Sequence, residues 1–150
     1  MSAELWFYHL ERSELIATLP PLLEKCVQRG WRALVRGGAE ARLDALDDAL
    51  WTYRDESFLA HGRAGRDDPT RQPIWLTAAN DNPNAAQALF LLDGAEPGDL
   101  SSFERACLLF DGRDEPALAQ ARARWKEAKA AGLEASYWRE SASGRWEKQA

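Results

Sequence analysis

The sequence predicts one α/β domain, residues 1–150, with a mostly parallel central sheet that helices cover on both faces. Short apolar segments of strand length alternate along the chain with segments in which apolar residues recur every three or four positions. Alternating strands and helices favour parallel strands, because each helical crossover returns the chain to the same edge of the sheet. A length of 150 residues and a hydrophobic share of 45% fit one ordinary globular domain.

The first half of the chain begins with an apolar, aromatic run typical of a strand. The predicted elements follow as strand 5–10, helix 15–26, strand 31–36 and helix 39–51. Pro20 and Pro21 lie inside the first helical pattern, so that helix either begins at the two prolines or is kinked there. Gly30 provides its C-terminal stop, and Gly37 and Gly38 end the second strand.

The second half continues the alternation after a loop rich in Gly, Pro and charge. The predicted elements are loop 62–73, strand 74–77, turn 80–84, strands 87–92 and 105–110, helix 114–131, strand 133–138 and turn 141–144. Asp114 and Glu115 lie where the dipole of the last helix favours anions, and Gly132 ends that helix.

The charge balance and the cysteines favour a reduced protein that meets nucleic acid through a partner. Lys and Arg total 19 and Asp and Glu total 24, which gives a net charge of −5. A negative surface repels phosphate, so we expect contact with DNA to be mainly indirect. Cys26 and Cys107 each lie in an apolar run, as unpaired core cysteines do. No signal segment or membrane-spanning run is recognisable, and we expect a cytoplasmic protein without membrane contact.

Motifs for nucleotide and metal binding are absent from the sequence, although α/β proteins often carry them. Neither G-x-G-x-x-G nor G-x-x-x-x-G-K-[ST] occurs. Amides at Gly37 and Gly38 could hold an anion, but a tight turn between strand and helix explains this pair equally well. His9 and His61 have no metal-ligand motif beside them. We therefore expect no cofactor and no metal ion.

The evidence for catalysis is weak. Ser57 and His61, four residues apart, are the one pair that could act as nucleophile and base, but no G-x-S-x-G elbow accompanies them. Asp44, Asp47 and Asp48 share a helix with inward-facing leucines, and we interpret them as a solvated acidic face. A small α/β hydrolase or nucleotide-binding enzyme is kept as the alternative to a non-catalytic protein.

The last long helix combines a tryptophan with basic residues. Its residues 122, 125, 126 and 129 follow the i, i+3, i+4, i+7 spacing, so Arg122, Trp125, Lys126 and Lys129 share one stripe. Alanines on another face favour close packing against the sheet, which leaves the stripe partly outside. An apolar floor with a cationic rim suits an acidic peptide that ends in a bulky side chain. Two other interpretations stay open: a core tryptophan under a solvated basic face, and a groove for single-stranded DNA.

Residues 43–61 carry the most specific motif of the chain. Residues 46–51 are Leu-Asp-Asp-Ala-Leu-Trp, and residues 57–61 are Ser-Phe-Leu-Ala-His. They resemble the L-D-x-x-L-W and S-F-[LV]-P-H motifs of the DNA polymerase III chi subunit family, with Ala60 in place of the usual proline. The opening aromatic strand, the strand after Gly30, the Pro-Ile-Trp-Leu segment at 73–76 and the basic last helix follow in the family's order. The resemblance therefore covers nearly the whole chain.

The resemblance implies a Rossmann-like three-layer sandwich without a functional nucleotide-binding motif. It also implies a role in DNA replication without intrinsic catalysis, as a component of the DNA polymerase III holoenzyme, which is a nucleotidyltransferase complex. In that role the chain would link the clamp loader to the acidic, Phe-ended C-terminal tail of single-stranded DNA-binding protein. The link to the clamp loader would run through a psi subunit where one exists.

The same resemblance indicates two binding surfaces. The family's tail pocket draws on the last long helix, and the matching positions are Arg122, Trp125 and Lys126, to which spacing adds Lys129 and Trp138. The family meets its psi subunit or a helicase on a second face, and the matching positions are Leu50, Trp51 and Phe58.

Overall fold

The computed structural model describes residues 3–53 and 59–150 as alternating strands and helices. The strands are β1 (Glu4–Leu10), β2 (Ala33–Arg36), β3 (Gly62–Arg63), β4 (Ile74–Thr77), β5 (Ala88–Leu91), β6 (Arg105–Asp111), β7 (Ala135–Glu140) and β8 (Trp146–Lys148). The helices are α1 (Leu15–Gln28), α2 (Glu40–Trp51) and α3 (Glu115–Ala130), with a short 3-10 turn at Pro69–Arg71. Within the described ranges, no helix has both the length and the apolar character that crossing a bilayer requires.

The strands of the described chain form one sheet in the order β3-β4-β2-β5-β6-β1-β7-β8. Neighbouring strands are parallel except in the antiparallel β7–β8 pair. β1 and β6 are the longest strands, at seven residues each, and they pair along their full length. The predicted α/β class with a mostly parallel sheet is confirmed, and the architecture is consistent with the Rossmann-like fold that the resemblance implied.

Two hydrophobic clusters, one on each side of the sheet, make the fold a three-layer structure. On one side, which we call the α1 face, leucines of α1 and α2 are buried against the strands; they are Leu19, Leu23, Leu43, Leu46 and Leu50. On the other side, the α3 face, Ala121 and Ala128 bring α3 close to the strands. Alternate residues of each strand serve opposite faces, so Trp6 and Tyr8 lie on the α1 face and Phe7 lies on the α3 face.

Helix α1 begins at Leu15 and contains both prolines, which resolves the choice that the sequence left open. Each proline removes one backbone hydrogen bond from the helix. The buried apolar side of the helix, which includes Leu19 and Leu23, compensates through tertiary packing. Strands β3 and β8 were not predicted, because they have only two and three residues. β3 occupies the first two residues of the predicted loop 62–73, and β8 follows the predicted turn 141–144.

Arg36, at the carboxyl end of β2, holds two loops in place through hydrogen bonds. The residue is 3% exposed, and its guanidinium donates hydrogen bonds to four backbone carbonyl oxygens. The acceptors belong to Ala79 at 2.9 Å, Glu96 at 3.1 Å, Pro97 at 3.0 Å and Asp81 at 3.2 Å. A buried cation thus holds the loops after β4 and β5 through hydrogen bonds alone.

Glu140 holds the loop between β1 and α1 in place through hydrogen bonds. Its carboxylate is 3% exposed and accepts hydrogen bonds from the backbone N–H groups of Glu11 at 3.2 Å, Arg12 at 2.8 Å and Ser13 at 2.9 Å. The Ser13 hydroxyl donates to its second oxygen. Burial by itself raises the pKa of Glu140, but these hydrogen bonds outweigh burial and hold the pKa at about 2.

Candidate functional site

The exposed side of α3 carries a patch of basic residues around one tryptophan. We call Arg122, Trp125, Lys126 and Lys129 the α3 patch. Trp125 is half-buried, whereas the three basic residues are exposed. Ala121 and Ala128 are buried, so the helix turns its small residues to the sheet and leaves the α3 patch at the boundary with solvent. The predicted stripe on this helix is therefore formed.

Trp125 packs against two aromatic side chains of the sheet. Its ring meets Phe7 edge to face at a centroid distance of 5.4 Å and Tyr137 at 5.8 Å. The ammonium group of Lys129 lies 4.9 Å from the centroid of the indole ring. Trp125 thus packs against the core on one side and is partly exposed on the other. The interpretation as a core tryptophan and the interpretation as part of an exposed stripe each describe one side of the same ring.

The basic residues of the α3 patch have no acidic partners in the part of the chain that the structure describes. Arg122, Lys126 and Lys129 form no ion pair with residues 3–53 or 59–150. Arg124, on the same helix, pairs with Glu96 at 3.2 Å and is 3.9 Å from Glu127. The patch therefore presents uncompensated positive charge in a chain whose net charge is −5.

A pair formed by the buried His9 and the half-buried Tyr137 adjoins the α3 patch and was not predicted. The Tyr137 hydroxyl and Nδ1 of His9 share a hydrogen bond of 2.7 Å. Burial lowers the pKa of His9; Glu11 opposes this shift, and the guanidinium groups of Arg139 and Arg122 reinforce it. Burial raises the pKa of Tyr137, and the charge of Arg122 partly offsets the rise. Arg122 is thus close enough to influence both rings, which belong to the same face of the sheet as Trp125.

Trp138 does not lie with the α3 patch. It is adjacent to Tyr137 in β7 and therefore projects to the α1 face, where its ring stacks on Trp6 at 5.2 Å. Its indole N–H donates to Ser136 Oγ at 2.9 Å. The prediction that Trp138 shares one pocket with Arg122 and Trp125 is therefore wrong, because adjacent residues of a strand point to opposite faces of the sheet. Helical spacing could not reveal the separation, because it says nothing about which side of a strand a residue takes.

Two of the three residues predicted for the second surface are described, and one of them is interior while the other is exposed. Leu50 is 1% exposed and belongs to the core beneath α2, so it supports that surface from within. Trp51 is 52% exposed at the end of α2, and its ring lies 4.9 Å from that of His61. Phe58, the third predicted residue, lies outside the described residues, as does Ser57.

His61 is buried beside Asp47, which also binds the exposed Arg66, and both of its ring nitrogens are engaged. Nδ1 lies 2.8 Å from the carbonyl oxygen of Leu59, and Nε2 lies 2.8 Å from Asp47 Oδ1. Arg66 donates two hydrogen bonds of 3.0 Å to the Asp47 carboxylate and lowers its pKa; burial opposes this shift and His61 adds to it. No ring nitrogen of His61 is left to act as a general base.

Asp47 corrects the prediction of a fully solvated acidic face on α2. It is 8% exposed, whereas Asp44 and Asp48 are exposed as expected. The partners that stabilise it, His61 and Arg66, come from beyond the end of the helix. Helical spacing alone therefore gave no signal of its burial.

A cleft of about 680 Å³ lies at the carboxyl ends of the strands, where doubly wound proteins bind nucleotides. Gly37 and Gly38 sit in the short turn between β2 and α2, and a Cβ atom at Gly37 would lie 3.0 Å from the Leu43 side chain. This contact supports the interpretation of the glycines as a tight turn. Charged groups line the cleft, with carboxylates at Glu14, Asp93, Asp111 and Asp114 and guanidinium groups at Arg42, Arg113 and Arg124. The carboxylates outnumber the cations, which disfavours a phosphate ligand.

Comparisons with known proteins identify the family of this chain. A sequence model of the family described as DNA polymerase III chi subunit, HolC, matches residues 2–136. The probable DNA polymerase III subunit chi of Rickettsia prowazekii is 28% identical over 85 residues, 57% of this chain and 52% of that protein, so the chain spans about half of this relative. The DNA polymerase III subunit chi of Pseudomonas aeruginosa is 31% identical over 100 residues, 67% of this chain and 68% of that protein. The chain belongs to the DNA polymerase III chi subunit family, whose members are components of the replicative polymerase complex.

Proposed function

We propose that this chain is an accessory subunit without catalysis of its own, which holds the acidic, Phe-ended C-terminal tail of single-stranded DNA-binding protein and links it to the clamp loader. The α3 patch is the proposed tail site. One observation carries the proposal: three basic side chains surround a half-buried indole and have no acidic partner among the described residues. In this role the chain works in the cytoplasm and meets DNA mainly through the protein that coats it.

The chemistry of the α3 patch matches both features of such a tail. Arg122 can donate two parallel hydrogen bonds to a carboxylate, and Lys126 and Lys129 add positive charge beside it. The indole of Trp125, held by Phe7 and Tyr137, offers an apolar surface to a terminal phenylalanine ring. An acidic side chain or chain terminus and a bulky ring would therefore be bound by adjacent groups.

The expected affinity is modest. A charge-assisted hydrogen bond contributes about 1.5 to 3 kcal/mol, and burial of a phenylalanine ring contributes a similar amount. Loss of translational, rotational and side-chain freedom offsets part of this gain. Binding no tighter than a micromolar dissociation constant, which corresponds to about 8 kcal/mol, is therefore expected.

A fluorescein-labelled acidic peptide that ends in phenylalanine tests the tail site by fluorescence anisotropy. Arg122→Ala should raise Kd at least about tenfold, because a charge-assisted hydrogen bond is lost. Arg71→Ala provides a matched control, since Arg71 is also exposed but lies near β4, toward the opposite edge of the sheet from β1 and β7. Added salt should weaken binding by screening the charges.

Controls on the peptide separate charge from ring burial. A peptide with an amidated C-terminus tests the terminal carboxylate, and a peptide that ends in alanine tests the ring. If Arg122→Ala binds the Phe-ended peptide as tightly as the unmodified chain does, the α3 patch is not the tail site.

We propose that the second surface, centred on Trp51, contacts a psi subunit or a helicase. An exposed indole at a helix end is a common anchor in protein interfaces. Trp51→Ala should reduce recovery of the chain with a reconstituted clamp loader, while Kd for the tail peptide stays unchanged. Unaltered recovery would place the clamp-loader contact elsewhere.

A further inference from the structure

A second aromatic and basic cluster lies on the α1 face, on the opposite side of the sheet from the α3 patch. It surrounds a cavity of about 350 Å³. We call this cavity the tryptophan groove. Four indoles line it, those of Trp6, Trp31, Trp138 and Trp146. All four are half-buried, so the groove is open to solvent along these rings.

Basic side chains alternate with the indoles of the tryptophan groove. The guanidinium carbon of Arg105 lies 4.0 Å from the ring centroid of Trp6 and 5.2 Å from that of Trp31. The guanidinium carbon of Arg29 lies 4.0 Å from the centroid of Trp31, and Lys25 also lines the cavity. None of the three cations forms an ion pair within residues 3–53 and 59–150.

Arg105 has an unused hydrogen-bond donor. Its Nε atom is shielded from solvent and has no hydrogen-bond partner among the described residues. A buried donor without an acceptor costs free energy, which an acceptor brought by a ligand would recover. The carboxylate of Glu4, which pairs with Arg105 in the β1–β6 register, accepts from the Trp6 indole N–H at 2.8 Å and makes no ion pair with Arg105.

The lining of the groove specifies the class of ligand. The described residues that line the cavity include three cations and no carboxylate, which favours an anionic ligand. The indoles of β1, β7 and β8 stand side by side on one face of a sheet, and an aromatic sheet face with basic neighbours is the arrangement by which several protein modules hold single-stranded nucleic acid. A phosphate offers acceptors to Arg105 Nε, and an unstacked base offers an aromatic ring to the indoles.

We propose that the tryptophan groove binds single-stranded DNA directly, with a base against the indoles and the adjoining phosphates on Arg105, Arg29 and Lys25. This contact is separate from the tail site on α3 and does not depend on it. Since the chain carries a net charge of −5, binding is confined to the groove and depends strongly on salt.

The first test is fluorescence anisotropy of the full chain with a fluorescein-labelled oligothymidylate at low salt. Binding should weaken as salt rises, with a slope of log K against log salt concentration of about −2 for three phosphate contacts. Arg105→Met should raise Kd at least about tenfold, as expected for loss of a charge-assisted bond to phosphate. Arg29→Gln should raise Kd about threefold and reduce the size of the salt slope by about 0.7.

The matched control uses the other face of the sheet. Arg122→Met should leave oligothymidylate binding unchanged and weaken binding of the acidic Phe-ended peptide, whereas Arg105→Met should do the reverse. If Arg122→Met does not weaken binding of the peptide, the tail-site proposal fails and the proposal for the tryptophan groove is unaffected. Circular dichroism establishes whether Arg105→Met is folded; if it is not, Lys25→Gln combined with Arg29→Gln, both at exposed positions, decides the question.

Three results would overturn the proposal. The first is no oligothymidylate binding at low salt. The second is binding that folded Arg105→Met, or the Lys25 and Arg29 double variant, leaves unchanged. The third is loss of acidic-peptide binding, without loss of oligothymidylate binding, in Arg105→Met, which would assign the groove to a protein partner.

Discussion

Arg36 and Arg105 both belong to the central strands of the sheet, but their surroundings differ. Arg36 lies at the carboxyl end of β2, is 3% exposed and has a carbonyl acceptor for each of its three nitrogen atoms. Arg105 begins β6, is half-buried among indoles and has an Nε donor with no acceptor in the described chain. Every nitrogen atom of the Arg36 guanidinium donates a hydrogen bond within the protein, whereas Nε of Arg105 donates none to the described residues.

This difference separates a structural role from a binding role. A buried cation whose three nitrogen atoms all donate to backbone carbonyls contributes to folding and has little left to offer a ligand. A cation that rests on aromatic rings with a donor left over is held in place before a ligand arrives, so little ordering is required on binding. The two arginines should therefore respond to substitution in opposite ways.

The largest expected effect is loss of stability when Arg36 is removed. Arg36→Met leaves four backbone carbonyl oxygens without this donor and should lower the free energy of unfolding by about 3 kcal/mol. Urea denaturation followed by circular dichroism measures the change. The exposed Arg71→Met should change stability by less than about 0.5 kcal/mol. An Arg36→Met protein as stable as the unmodified chain would show that the carbonyl contacts are not stabilising.

Glu140 is a buried anion that, like the cation of Arg36, has its hydrogen-bonding partners within the protein. Its pKa of about 2 lies below the ordinary value of 4.5, so the ionised carboxylate stabilises the fold above pH 4.5, and this contribution is lost as the pH falls toward 2. Glu140→Gln should lower the free energy of unfolding by about 2 kcal/mol at pH 7. The stabilities of the two proteins should converge below pH 4.5. A difference that does not vary with pH between 7 and 3 would contradict the role of the charge.

The smallest expected effect on stability is that of Arg105→Met. The substitution removes interactions with two rings, each contributing about 0.5 to 1 kcal/mol, but it also removes a buried donor that had no acceptor. The two changes oppose each other, so the free energy of unfolding should shift by less than about 1 kcal/mol. A loss as large as that of Arg36→Met would mean that Arg105 is structural and that the two arginines have the same role.

Most of the fold could be predicted because its signals are local. Apolar periodicity located the principal strands and all three helices that the structure describes, and Gly30 and Gly132 marked two helix ends. β3 and β8 escaped prediction, because two or three residues are too few to show a period. Pro20 and Pro21 left the start of α1 open, since the packing that compensates for them comes from the sheet.

The candidate site could be predicted only in part. The α3 patch followed from helical spacing, because all four of its residues belong to one helix. Trp138 was misplaced, since its side of the sheet depends on pairing with β1, and the tryptophan groove was missed because its residues come from distant segments. Burial of Asp47 likewise depends on His61 and Arg66, which follow it by 14 and 19 positions in the chain.

Side chains of β1 and β7 alternate between the two faces of the sheet, so the α3 patch and the tryptophan groove both depend on the number of residues in these strands. Phe7 and Tyr137 support Trp125 on one side of the sheet, while their neighbours Trp6 and Trp138 face the other. Insertion or deletion of a single residue within either strand would turn aromatic rings from each side to the other and damage both surfaces together. Gains and losses of residues should therefore be tolerated at the turn 141–144 and disfavoured inside these two strands.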